Sequence, residues 1–196
     1  MNGAITKIRI ELVNTFNQVF DVFTTREDVL YYQPFNEGWM MLEILEHTLL
    51  ANYFLLRIVN KQIERALATV SKHAMDNKEY SLDESILLRM EKKGSPLWVP
   101  KQYIEPSGEM PLLQLKMNLH DQFNECMKVL KNRVAIDAIK NTSERGRIDA
   151  LHYLYFLVQH MQKHLAQIER VKQDFDQCQK GIINNDSCMS GFICLN

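Results

Sequence analysis

Three histidines in this chain have the residue type and spacing from which a metal site can be built. His160 and His164 stand four residues apart in QHMQKHLAQI, and His47 closes the stretch WMMLEILEH. Neutral imidazole is a common ligand for first-row divalent metals. Two ligands one helical turn apart can converge with a third from a neighbouring helix, leaving coordination positions for water or substrate. Three neutral ligands leave the cation's charge largely uncompensated, which lowers the pKa of a water it carries. An i, i+4 pair is also what two ordinary helix histidines look like, so the phase of the helices carrying them decides its weight.

Four long helical segments stand out, over residues 5–23, 39–70, 112–138 and 148–178, and no segment shows sustained strand alternation. On the second, Met40, Ile44, His47, Ala51, Phe54 and Ile58 fall on one stripe. On the fourth, Leu157, His160, His164, Ile168 and Val171 do the same. All three histidines therefore point inward. Burying unpaired imidazoles costs free energy unless their nitrogens are satisfied, and one divalent ion would satisfy them together. His73 lies in a charged stretch, His120 neighbours the stripe of the third helix, and His152 is off the phase of His160. These three read as solvated or boundary positions.

The connections have their own signals. Pro34 and Gly38 break the chain between the first two helices. Ser81 and Glu84 have capping-box spacing for a minor helix over 82–93, which Gly94 would stop. SPLWVPKQYIEPSGEMP, residues 95–111, holds four of the five prolines and reads as an extended crossover. Four amphipathic helices with one apolar stripe each bury those stripes most simply as an all-α four-helix bundle with long crossover connections. Residues 1–178 form that single domain, and 179–196 are a C-terminal tail, read as a flexible or loosely docked extension.

Composition narrows the function classes. Lys plus Arg total 23 against 24 Asp plus Glu, which gives no global positive field to attract nucleic acid or anionic lipid. No apolar stretch is long enough to cross a bilayer, and the first residues lack the uninterrupted apolar core of a secretory signal, so a cytoplasmic protein is expected. Cys126, Cys178, Cys188 and Cys194 have no CxxC pairing, which argues against a disulfide scaffold. Cys126 lies on an apolar stripe and reads as a small buried hydrophobe.

Trp39 eight residues before His47, followed late in the chain by the HxxxHxxQI pattern of His160, His164, Gln167 and Ile168, resembles the DinB/YfiT-like superfamily of bacterial four-helix bundles. The proline-rich crossover and ERGRIDALHYLYFLVQHMQKHLAQIERV are similar to the corresponding parts of that family, and the likeness runs from the first helix to Lys172. Met40 departs from the Ser or Thr that many members carry after the Trp. The resemblance implies a divalent metal (Zn, Ni, Fe or Mn) held by His47, His160 and His164, a small-molecule substrate, and a homodimer. It also implies either a metal-dependent hydrolase or a thiol-dependent S-transferase or isomerase using a low-molecular-weight thiol. A metal-stabilised binding module without turnover is the third possibility. Glu43, one turn before His47, is the candidate general base or ligand-orienting acid, though a helix's first turn favours acids in any case. Gln167 is placed to orient a ligand or substrate, and equally to make a capping or interhelical hydrogen bond. Arg57, Arg147 and Lys163 are the cations available to a thiol cofactor's carboxylates.

Overall fold

The computed structural model describes residues 3–34, 38–69, 80–82, 101–142 and 147–181. Among these the chain is all-α: α1 (Gly3–Val22), α2 (Glu27–Leu30), α3 (Met41–Thr69), α4 (Leu112–Lys131), α5 (Arg133–Thr142) and α6 (Ala150–Gln179), with a 3-10 turn at Lys101–Tyr103 and no strand. The expected minor helix over 82–93 and nearly all of the tail lie outside the described residues.

The largest interhelical contact is α3 against α6; α1 packs on α6 and α4, and α3 packs on α4 and α5. The apolar stripes supply the shared core. Ile8, Leu12 and Phe16 of α1, Met41, Ile44 and Leu49 of α3, Leu119 of α4 and Leu154, Leu157 and Met161 of α6 are fully buried. Polar side chains join the helices where those stripes end. Gln122 of α4 donates to the Leu49 carbonyl at 2.9 Å, Asn60 of α3 to Glu125 at 2.6 Å, and Gln162 of α6 to Thr15 at 3.1 Å. Among the described residues no helix is long and apolar enough to cross a membrane.

Three expectations need correction. The pattern over 112–138 is not one helix: Asn132 is extended (φ −78°, ψ 93°), and its side-chain oxygen accepts the Ala135 amide at 3.1 Å, starting α5. Apolar spacing runs across the break because Ala135, Ile136, Ala138 and Ile139 bury in turn. Cys178 is disulfide-bonded, a pairing its spacing does not announce, while Cys126 is a free buried thiol whose pKa burial pushes up.

His152 is the third. It is buried rather than solvated, with Nδ1 2.9 Å from Asp149 Oδ1 and 3.0 Å from the Tyr80 hydroxyl, which also donates to the Asp149 carboxylate. Asp149 Oδ1 caps α6 as well, accepting the amides of Leu151 (2.9 Å) and His152 (3.1 Å). Phase from His160 misleads here because residues 150 to 155 are buried on every face of the helix. His120, by contrast, is exposed and stacks on Phe20, with ring centroids 3.9 Å apart.

Candidate metal centre

α3 and α6 run antiparallel. Gln62 near the end of α3 reaches the Ile148 carbonyl just before α6, while Asn52 of α3 meets Met161 Sδ at 3.5 Å. That direction brings the first turns of α3 beside the middle of α6. His47, His160 and His164 meet there, each offering one ring nitrogen, all within 4.8 Å of one another. His160 Nε2 and His164 Nε2 are 3.1 Å apart. Two nitrogens bound to one zinc ion at tetrahedral angles would be about 3.4 Å apart, given zinc–nitrogen bonds of roughly 2.0–2.1 Å. The donor set and spacing therefore fit a divalent cation.

The second ring nitrogens explain which tautomers are present. His47 Nδ1 lies 2.6 Å from the Ile104 carbonyl, which can only accept, so Nδ1 carries the proton and Nε2 a lone pair. His164 Nδ1 lies 3.0 Å from Gln167 Oε1 and follows the same rule. Gln167 thus orients a histidine, the role its spacing suggested. His160 Nδ1 differs: it is buried with no hydrogen-bond partner. Trp39 packs beside His47, with ring centroids 4.8 Å apart, and Phe156 lies near His160.

Electrostatics keep the cluster neutral. Burial, then the neighbouring His164 and His47, with Lys163 adding to both, push the His160 pKa down to about 3. His164 is lowered to about 4, mainly by burial and His47, with the Gln167 bond opposing. Burial also lowers His47, against the Ile104 hydrogen bond. Three unprotonated imidazoles facing inward repel protons and offer lone pairs, the condition a metal ligand must meet.

Glu43 does not join the cluster. Its Oε2 accepts the Met40 amide at 2.8 Å, and its side chain lies against Gly108. Here a carboxylate in the first turn reaches back to the amide preceding the helix, so α3 starts without a side-chain acceptor at Met40. Lys163 lies close enough to depress both α6 histidines. Arg147 precedes α6, in which the ten steps from Ala150 to His160 alone rise about 15 Å, and Arg57 lines a surface groove with Tyr53, Asn60 and Glu125. The residues sequence reasoning missed are those of the crossover. Ile104 supplies a carbonyl to His47, and Ser107 and Gly108 bond to Glu46, the neighbour of His47. Spacing along α3 says nothing about partners some sixty positions away, although EPSG marks the turn they sit in. No known protein family, curated protein or solved structure matches this chain.

Proposed function

We propose that the chain is a four-helix bundle of the DinB/YfiT-like type, that His47, His160 and His164 hold a divalent metal ion, and that it acts as a metal-dependent hydrolase on a small-molecule substrate. One observation carries the reading. His47 and His164 each spend the Nδ1 proton on an oxygen, so their Nε2 lone pairs are left facing a buried neighbourhood whose third member is another imidazole. At most one proton, on His160 Nε2, is left to share between them. A cation satisfies all three, where hydrogen bonding satisfies fewer.

When bound, the ion supplies Lewis acidity and a source of hydroxide near neutral pH. The chain's own residues do the rest. Ile104 and Gln167 fix the rings of His47 and His164, the Trp39 and Phe156 rings flank the ligands, and burial keeps all three imidazoles unprotonated. Glu43 is committed to the start of α3, and using it as a base requires it to release the Met40 amide.

The experiment is a panel of activated esters and amides, tested with zinc-, nickel- or manganese-loaded protein, with and without a low-molecular-weight thiol. Turnover with metal alone supports hydrolysis. Turnover that needs the thiol converts the reading to an S-transferase, and metal binding without turnover in either arm leaves a binding module.

A further inference from the structure

Glu46 is a buried carboxylate, only 5% exposed, on the same helix as His47 and adjacent to it. Among the described residues no lysine or arginine pairs with it. Its partners are the Ser107 hydroxyl, donating to Oε1 at 2.8 Å, and the Gly108 amide, donating to Oε2 at 2.8 Å. A charge buried without a counter-ion is costly, and two donors from one short turn are what offset it. The same turn follows Ile104 by three residues, and Ile104 is the residue whose carbonyl receives the His47 Nδ1 proton at 2.6 Å.

The fit of that turn against α3 is tight. Gly108 has φ +72°, a left-handed conformation that glycine takes readily, and a Cβ there would lie 3.3 Å from Glu43 Oε1. The Ser107 hydroxyl also accepts the Glu109 amide at 3.1 Å, which fixes it as a donor toward Glu46. Glu43, Glu46 and His47 therefore grip one segment, residues 104–108, at three points. The middle grip carries the charge and the last carries the imidazole.

We infer that Glu46 is a positioning residue: by holding Ser107 and Gly108 it places the Ile104 carbonyl that sets the tautomer and ring orientation of His47, and so tunes metal affinity without touching the metal. This rests on the metal reading above. Partners of metal ligands typically shift affinity by roughly 10- to 100-fold when removed, and Glu46, acting one step further out, belongs at the lower end, about 10-fold.

The test is zinc affinity, by competition with a chromophoric chelator, for wild type, Glu46→Gln, Ser107→Ala, His47→Ala and the Glu46→Gln/His47→Ala double variant. Imidazole nitrogen shifts of the metal-free proteins are recorded by NMR. Glu46→Gln keeps the side chain's size but exchanges one acceptor for a donor facing Ser107 or Gly108. The inference expects about a 10-fold loss of affinity in Glu46→Gln, a smaller loss in Ser107→Ala, no further loss when His47 is already alanine, and a His47 ring that no longer holds its proton on Nδ1. It is overturned if Glu46→Gln binds zinc as wild type does, or if it loses the same factor in the His47→Ala background, which would make Glu46 a general stabiliser. Should wild type bind none of zinc, nickel and manganese, the metal reading falls by itself. The NMR arm then decides alone: loss of the Nδ1 proton in Glu46→Gln and Ser107→Ala supports positioning, and an unchanged His47 refutes it.

Discussion

At the N-terminal end of α6, His152 is buried against a carboxylate and a phenol; eight residues further along the same helix, about 12 Å by its rise, the half-buried His160 packs against two other imidazoles. The first cluster is closed by its own groups. Asp149 accepts from Tyr80, from His152 and from two backbone amides, and its charge, after burial, raises the Tyr80 pKa, keeping the phenol a donor. The second is not closed. Two of its rings, His47 and His164, are fixed from behind by Ile104 and Gln167, His160 Nδ1 has no partner, and the remaining nitrogens face one another. A buried histidine is therefore no signal in itself. What separates the two clusters is what the imidazole nitrogens face: His152 meets a carboxylate and a phenol, whereas His47, His160 and His164 turn ring nitrogens toward one another.

That contrast can be broken most severely at the ligands. His160→Ala should lower zinc affinity by more than the roughly 100-fold that marks the upper range for a residue merely orienting a ligand, while His152→Ala should leave affinity within about 2-fold. Chelator competition on both variants checks this, and equal losses would erase the distinction.

Asp149→Ala attacks the other side. It removes the helix cap and strips the buried Tyr80 and His152 of their carboxylate, so it should cost about 2–4 kcal/mol of stability from the cap and the orphaned donors together. Urea denaturation reads this loss, and unchanged zinc affinity in the folded variant would keep the two clusters separate.

Acid should act on the open cluster. The folded pKa values of His160, about 3, and His164, about 4, lie below the unfolded value of 6.5, so between these limits the unfolded chain binds protons the folded one refuses. Stability of the metal-free protein is then complete above pH 6.5 and falls as pH drops toward 4. For His160 the slope is at most about 1.4 kcal/mol per pH unit. Denaturation midpoints at pH 7, 6 and 5 should fall more steeply in wild type than in His160→Ala; parallel curves would count against the depressed pKa.

The smallest effect concerns the crossover. Gly108→Ala forces a left-handed alanine against Glu43 and should cost about 1–2 kcal/mol. A thermal melt measures it, and an unchanged melting temperature would mean that the 104–108 turn is not held as tightly as its contacts with α3 indicate.

Helix phase made the three histidines legible in the sequence: Leu157, Ile168 and Val171 beside His160 and His164 are core residues, as are Ile44 and Ala51 beside His47, although Met40, Phe54 and Ile58 of that stripe are half-buried. Apolar spacing also placed α1, α3 and α6 to within two residues of their observed ends. What phase could not reach was anything set by contacts across the chain. Phase relative to His160 puts His152 at a solvated or boundary position, yet the start of α6 is covered all round. The break at Asn132 was hidden because apolar spacing continues through it, and only the asparagine's ability to cap a new helix distinguishes the site. Nothing in the sequence singles out Glu46, since Ser107 and Gly108 arrive beside it only after the chain has folded back.

Metal content tests the central claim most directly. Tag-free protein would be stripped, offered one equivalent of zinc, nickel or manganese, desalted and measured by native mass spectrometry beside the His47→Ala and His160→Ala variants, with circular dichroism confirming that each is folded. The account predicts close to one ion per wild-type chain for at least one metal and loss of that ion in both variants. A wild-type protein that retains none of the three, or variants that retain metal as wild type does, would contradict it and leave His47, His160 and His164 as core residues.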